Sequence, residues 1–145
     1  MIAEETQSPI KTLHVVKEVL IAAPADVVFQ TILEPHGPMK DLNMKLEPWP
    51  GGRWFRDLGN NTGHLWGHVQ VIKPPKLLEL VGPFMMSYPA ISHIQYRLTE
   101  QPGGTLLKFT HQAFGFIPPG LQEDVSKGWG EMLDHIRTAA EKERG

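Results

Sequence analysis

Cysteine is absent from the 145 residues. That removes disulfide frameworks, thiolate catalysis and sulfur-ligated zinc together, and it agrees with a reducing compartment. No stretch of about 18 apolar residues occurs, so no segment reads as a membrane span and no membrane insertion is expected. A surplus of charge of one sign is also missing: 14 basic residues face 16 acidic ones, for a formal charge of -2, with no long run of either. Such a balance leaves no electrostatic footprint for nucleic acid or for an anionic membrane surface. The opening "MIAEETQSPIK" is acidic and polar and lacks the apolar block of a signal peptide, which sets the cytoplasm as the expected location. A chain of this length buries roughly 70% of the surface its unfolded form exposes, enough for one core. The expected organisation is a flexible tail over 1–10 and a single domain over 11–145.

"KTLHVVKEVLIAA" (11–23) is rich in Val, Leu and Ile and reads as a first strand, ended by Pro24. "PADVVFQTILE" (24–34) opens with Pro at a first helical position and gathers Val28, Phe29 and Ile32 on one face, as an amphipathic helix does. From Leu42 onward, β-branched and alternating stretches are punctuated by "PGG", "GNNTG", "KPPK", "GPFMMSYPA" and "QPGG". These turn signals predict six antiparallel strands over 42–49, 53–58, 63–73, 76–81, 90–99 and 105–113. In the last segment, 120–143, Leu121, Val125, Trp129, Met132, Leu133, Ile136 and Ala140 recur at steps of three and four, an arc of about 120° on a helix. Glu123, Lys127, Glu131, Asp134 and Glu141 form its solvated side. An antiparallel sheet with one apolar face must cover that face, and this helix carries the one long apolar stripe available. The predicted fold is α+β: a curved seven-stranded sheet gripping a long C-terminal helix, with short helices after the first strand.

"PWPGGRWF" (48–55) sets glycines and an arginine between two tryptophans, as a phosphate cradle would. A phosphate loop, however, needs Lys followed by Ser or Thr and a helix behind it. Here "RWFRDL" follows, a strand, so the segment reads as a hairpin turn with Gly51 and Gly52 at positive φ. Strand alternation then assigns faces. Leu65, Gly67, Val69 and Val71 are expected inward and His64, Trp66, His68 and Gln70 outward; Ile94, Tyr96 and Leu98 point inward, as do Thr105, Leu107, Phe109 and His111. Keeping both apolar sets of the last hairpin on one face sets Ile94 or Ser92 opposite His111 and separates His93 from it. His64 and His68, four residues apart on a strand, lie about 13 Å from each other. No metal site and no cofactor is expected.

His111 stands among apolar neighbours on the inward face. It is either a core histidine satisfied by a hydrogen bond or a group that recognises or deprotonates a ligand, since imidazole titrates near neutrality. It is the candidate catalytic residue. Alternate connections of a meander fall at opposite ends of the sheet, which groups "GNNTG", "GPFMMSYPA" and "AFGFIPPG" at the end nearest His111. Phe84, Met85, Met86, Tyr88 and Phe116 make that end unusually apolar, either as the rim of an opening or as a plug for the core. Gly128 and Gly130 flank Trp129 inside the last helix, each at a cost of about 1 kcal/mol relative to Ala. That suggests a close backbone approach or a bend over a cavity.

The element order together with "IAAPADVVFQTILEP", "PGGRW", "GHVQVIKPPKLLEL", "GGTLLKFTH" and "GWGEMLDHI" resembles the SRPBCC superfamily, the START and Bet v 1-like proteins. Within it the chain is similar to the branch of the activator of Hsp90 ATPase. The resemblance runs from about Lys11 to the end and implies a helix-grip fold with a deep, largely apolar cavity between sheet and helix. It also implies a hydrophobic or amphipathic small molecule as the partner. Expected cavity residues are Leu65, Val69, Ile94, Tyr96 and Phe109, with His111, Trp129, Met132 and Ile136. A cyclase- or hydrolase-like enzyme in the same cavity and a co-chaperone-like interaction domain are the alternatives, and a protein partner or a homodimer stays open.

Overall fold

The computed structural model describes residues 3, 9–34, 42–84 and 89–143; the tail expected over 1–10 falls mostly outside them. The elements are β1 (Lys11–Ile21), α1 (Ala25–Leu33), β2 (Met44–Leu46), β3 (Arg53–Gly59), β4 (Thr62–Lys73), β5 (Leu77–Gly82), β6 (Ala90–Gln101), β7 (Gly104–Gly115) and α2 (Leu121–Glu143). Of the short helices expected after the first strand, α1 is the one described before β2. Pro24 is its N-cap, in extended conformation, rather than its first helical residue. All seven strands form one antiparallel sheet in the order β1-β7-β6-β5-β4-β3-β2. No described helix is long and apolar enough to cross a membrane.

The inner face of this sheet and the stripe of α2 make the core. Ile21, Leu98, Leu107 and Phe109 from the sheet are buried against Trp129, Leu133, Ile136 and Ala140 of α2, and Val28 and Phe29 of α1 close one side. At the other end Leu13, Val15, Ala113 and Ile117 form a smaller cluster beneath Leu121. The last hairpin pairs Ile94 with His111 and His93 with Gln112, the register that face alternation requires.

β4 departs from simple alternation twice. Against β3, Trp54 pairs with Gly67 and Phe55 with Leu65, leaving Trp66 as an extra residue; against β5, Val69 pairs with Leu80 and Val71 with Glu79, leaving Gln70 as another. Each bulge exchanges the faces of the residues beyond it. Leu65, expected inside, is therefore 48% exposed, while Trp66, expected outside, is buried. Val71 is turned toward the outer row with Glu79, and Ile72 takes the inward position opposite Leu78.

The hairpin turn at 47–53 is held from below. The Arg53 guanidinium donates to both carboxylate oxygens of Glu47 at 2.9 and 3.0 Å, and the Arg53 backbone N–H donates to Oε1 at 2.8 Å. These bonds hold the Glu47 carboxyl down at about 2. Gly51 has a φ of +81°, whereas Gly52 does not take positive φ; a Cβ there would collide with the Glu47 carbonyl oxygen. Arg53 is thus an internal strap of the turn.

Candidate functional site

Between the inner face of the sheet and α2 lies a group of aromatic rings with few polar atoms. Trp129 of α2 packs on Phe109 at 4.2 Å between ring centres. Trp54 of β3 faces it from the opposite wall, and Phe84 lies between the two indoles, 5.2 Å from one at 18° and 5.3 Å from the other at 17°. Trp66 meets Trp54 and Phe84 edge-on, and His111 does the same to Phe84 and Trp129. The Trp54 indole N–H is directed at Met44 Sδ, 3.0 Å away.

His111 is fully buried and doubly bonded. The Trp129 indole N–H donates to Nδ1 at 2.9 Å, and Nε2 lies 2.8 Å from Ser92 Oγ. Indole nitrogen can only donate, so Nδ1 must be unprotonated and Nε2 carries the hydrogen that Ser92 accepts. Burial pushes the imidazole down to about 4. The Ser92 and His111 pair has the spacing of a nucleophile and its base, but the proton already sits on Nε2. In this arrangement His111 cannot take the serine proton, and the network ties helix to sheet.

Tyr96 stands beside this network with its ring edge-on to Phe109 and Trp129. It is 6% exposed, and burial raises its phenol above the ordinary range. It lines a gap of about 40 Å³ bounded also by Leu78, Leu80, Trp129, Met132 and Ile136, together with the half-buried Met44 and Leu46 and the exposed Glu34. Every fully sealed side-chain polar atom among the described residues has a partner, and the Tyr96 hydroxyl makes no hydrogen bond there, so its oxygen fronts the gap.

Of the residues expected to line a cavity, Val69, Ile94, Tyr96, Phe109, His111, Trp129 and Ile136 are buried in this region, and Met132 is partly buried against it. Leu65 is not among them, for the reason given by the β4 bulge. Of the expected rim, Met85, Met86 and Tyr88 lie outside the described residues. Phe116 is half-buried just beyond β7, its N–H bonded to the Pro89 carbonyl. Phe84 is not at a rim at all; its ring is inserted between the indoles. Ser92, Trp54 and Trp66 belong to the site without having been singled out for it. Ser92 was one of two residues that face alternation set opposite His111, whereas no periodic signal distinguishes Trp54. His64 and His68 are both exposed on β4, and among the described residues no three His, Asp or Glu groups gather as metal ligands would.

Residues 22–141 match the family model described as activator of Hsp90 ATPase homolog 1-like protein. The chain belongs to that family. Its fold is accordingly the helix-grip fold of the SRPBCC superfamily. A solution structure of an AHSA1-like protein from Rhizobium etli is 28% identical over 94% of this chain and 86% of its own, with a TM-score of 0.59. Solved structures of a protein from Rhizobium leguminosarum (21% identity, 92% and 97% of the two chains, TM-score 0.73) and of one from Mesorhizobium loti (19%, 89% and 97%, TM-score 0.69) share the fold. No curated protein matches the chain.

Proposed function

We propose that this AHSA1-like protein binds an apolar small molecule between the inner face of its sheet and α2. The observation that carries the reading is the Tyr96 hydroxyl, which has no hydrogen-bond partner among the described residues and fronts a largely apolar gap. A hydroxyl that opens onto the gap offers a ligand oxygen or nitrogen a hydrogen-bond partner among mostly apolar walls, the arrangement by which small-molecule sites fix orientation. The present gap of about 40 Å³ holds little more than a water molecule. A ligand site needs roughly 300 Å³ or more, so binding requires side chains to move aside, for which unbranched Met44 and Met132 are suited.

Native mass spectrometry of the protein as purified tests this. The expected spectrum shows discrete mass above the 16.3 kDa chain that disappears on denaturation, and less of it on folded Tyr96→Phe. A bare polypeptide in both proteins would contradict it. That outcome would favour a second reading, a protein-interaction domain, for which one feature of the outer sheet face speaks. Ile91 and Phe114, 42% and 59% exposed, pair across β6 and β7 beside an open surface groove of about 620 Å³. An exposed apolar patch on a folded chain is a common mark of a protein contact.

A further inference from the structure

Phe84 differs from the other aromatic residues of the interior in three ways. It belongs to no strand or helix, following β5 by two residues. Its backbone lies in the left-handed region, φ +56°, where a bulky side chain is a true outlier. It is also half-buried rather than sealed, although its ring sits at the centre of the aromatic group. A residue held in such a conformation at a binding region points from strain toward function. What the strain achieves here is visible: the N–H of Phe84 bonds the Trp66 carbonyl at 2.7 Å, and the ring enters the slot between Trp54 and Trp129.

That slot has the form of a receptor for a flat ring. Its walls come from two different elements, β3 and α2, and both indoles lie within 18° of the plane of the ring between them. The edges of Trp66 and His111 close its sides. None of these groups carries a charge, because the Trp129 N–H keeps Nδ1 of His111 unprotonated. An anionic ligand would lose its hydration with no opposite charge to meet, and Glu34 among the residues that bound the gap disfavours it further.

We propose that the Phe84 ring is an internal stand-in for the ligand: it fills the slot between Trp54 and Trp129 in the empty protein and is displaced by an uncharged planar aromatic molecule, whose polar substituent reaches the Tyr96 hydroxyl. This deepens the binding reading above and rests on it. Because Phe84 competes with the ligand, apparent affinity in the native protein is reduced by the fraction of molecules whose slot is occupied. Removing the ring removes that competition.

Titration calorimetry with 2-naphthol as the aromatic probe and 1-dodecanol as an uncharged aliphatic one, on the native protein, Phe84→Leu and Phe84→Gly, tests the proposal. Leucine keeps most of the volume but cannot stack, and glycine accepts the positive φ without strain. The expected result is 2-naphthol binding to the native protein, tightened at least tenfold in both variants, with a smaller gain for 1-dodecanol. No gain for 2-naphthol, an equal gain for both probes, or failure of both variants to fold would each overturn it, since a ring that a ligand evicts cannot be indispensable to the fold. The two proposals fail separately. A native protein that retains an apolar compound while the variants gain nothing loses only the plug; proteins that take up neither probe nor any cellular compound lose both.

Discussion

At the scale of single residues, the buried histidine has the largest measurable consequence. His111 is neutral when folded because protonating Nδ1 would break its bond from Trp129 in a site without solvent. The unfolded chain takes up this proton near pH 6.5, and the folded one only near pH 4. Between those values the unfolded state binds more protons, so stability is complete above about pH 6.5 and is lost as pH falls toward 4. Urea unfolding should show about 2 kcal/mol of stability lost between pH 7 and pH 4.5 through this one group. His111→Gln preserves a donor and an acceptor without titrating, so its pH profile should be flatter by that amount. Equal slopes for the two proteins would show that His111 is not the residue responsible. The sequence made the inward position of His111 and the choice between Ile94 and Ser92 opposite it legible. It did not disclose the Trp129 bond, which depends on how α2 is rotated over the sheet and leaves no mark in strand alternation.

At the scale of elements, α2 carries two glycines whose cost has no steric return. A Cβ at Gly128 would meet nothing within 4 Å, and one at Gly130 would come to 3.6 Å from Lys17 Nζ, an ordinary contact with the end of a flexible side chain. The close backbone approach considered from the sequence is therefore absent at both. Gly128→Ala and Gly130→Ala should each raise stability by up to about 1 kcal/mol, seen as a higher melting temperature. Destabilisation by either would mean that α2 needs a local departure from regular helix around Trp129. The strands show where pattern reading reaches its limit. β6 and β7 alternate without interruption, and their inner residues were assigned correctly from parity. β4 carries two bulges, each of which inverts the alternation, and nothing in "HLWGHVQV" marks where the extra residues fall. Leu65 and Trp66 exchanged roles for that reason alone.

At the scale of the whole molecule, strand count, helix placement and sheet-on-helix layering followed from turn signals and one apolar stripe, because each must be satisfied locally before the core can close. The filling of the interior did not follow. Phe84 belongs to a loop, and whether a loop side chain rims an opening or enters it depends on backbone dihedrals that composition does not encode. Under the proposal above, the interior of this helix-grip protein is a ligand site that its own phenylalanine occupies when empty. The four tryptophans distribute themselves usefully for testing it. Trp54, Trp66 and Trp129 surround the slot, whereas Trp49 is 54% exposed in the turn between β2 and β3. An ¹⁵N spectrum of the four indole N–H groups, recorded while 2-naphthol is added to the native protein, reads the site directly. The account predicts that the Trp54 and Trp129 signals shift to saturation while Trp49 stays in place; four unmoved signals, or movement at Trp49 alone, would contradict it.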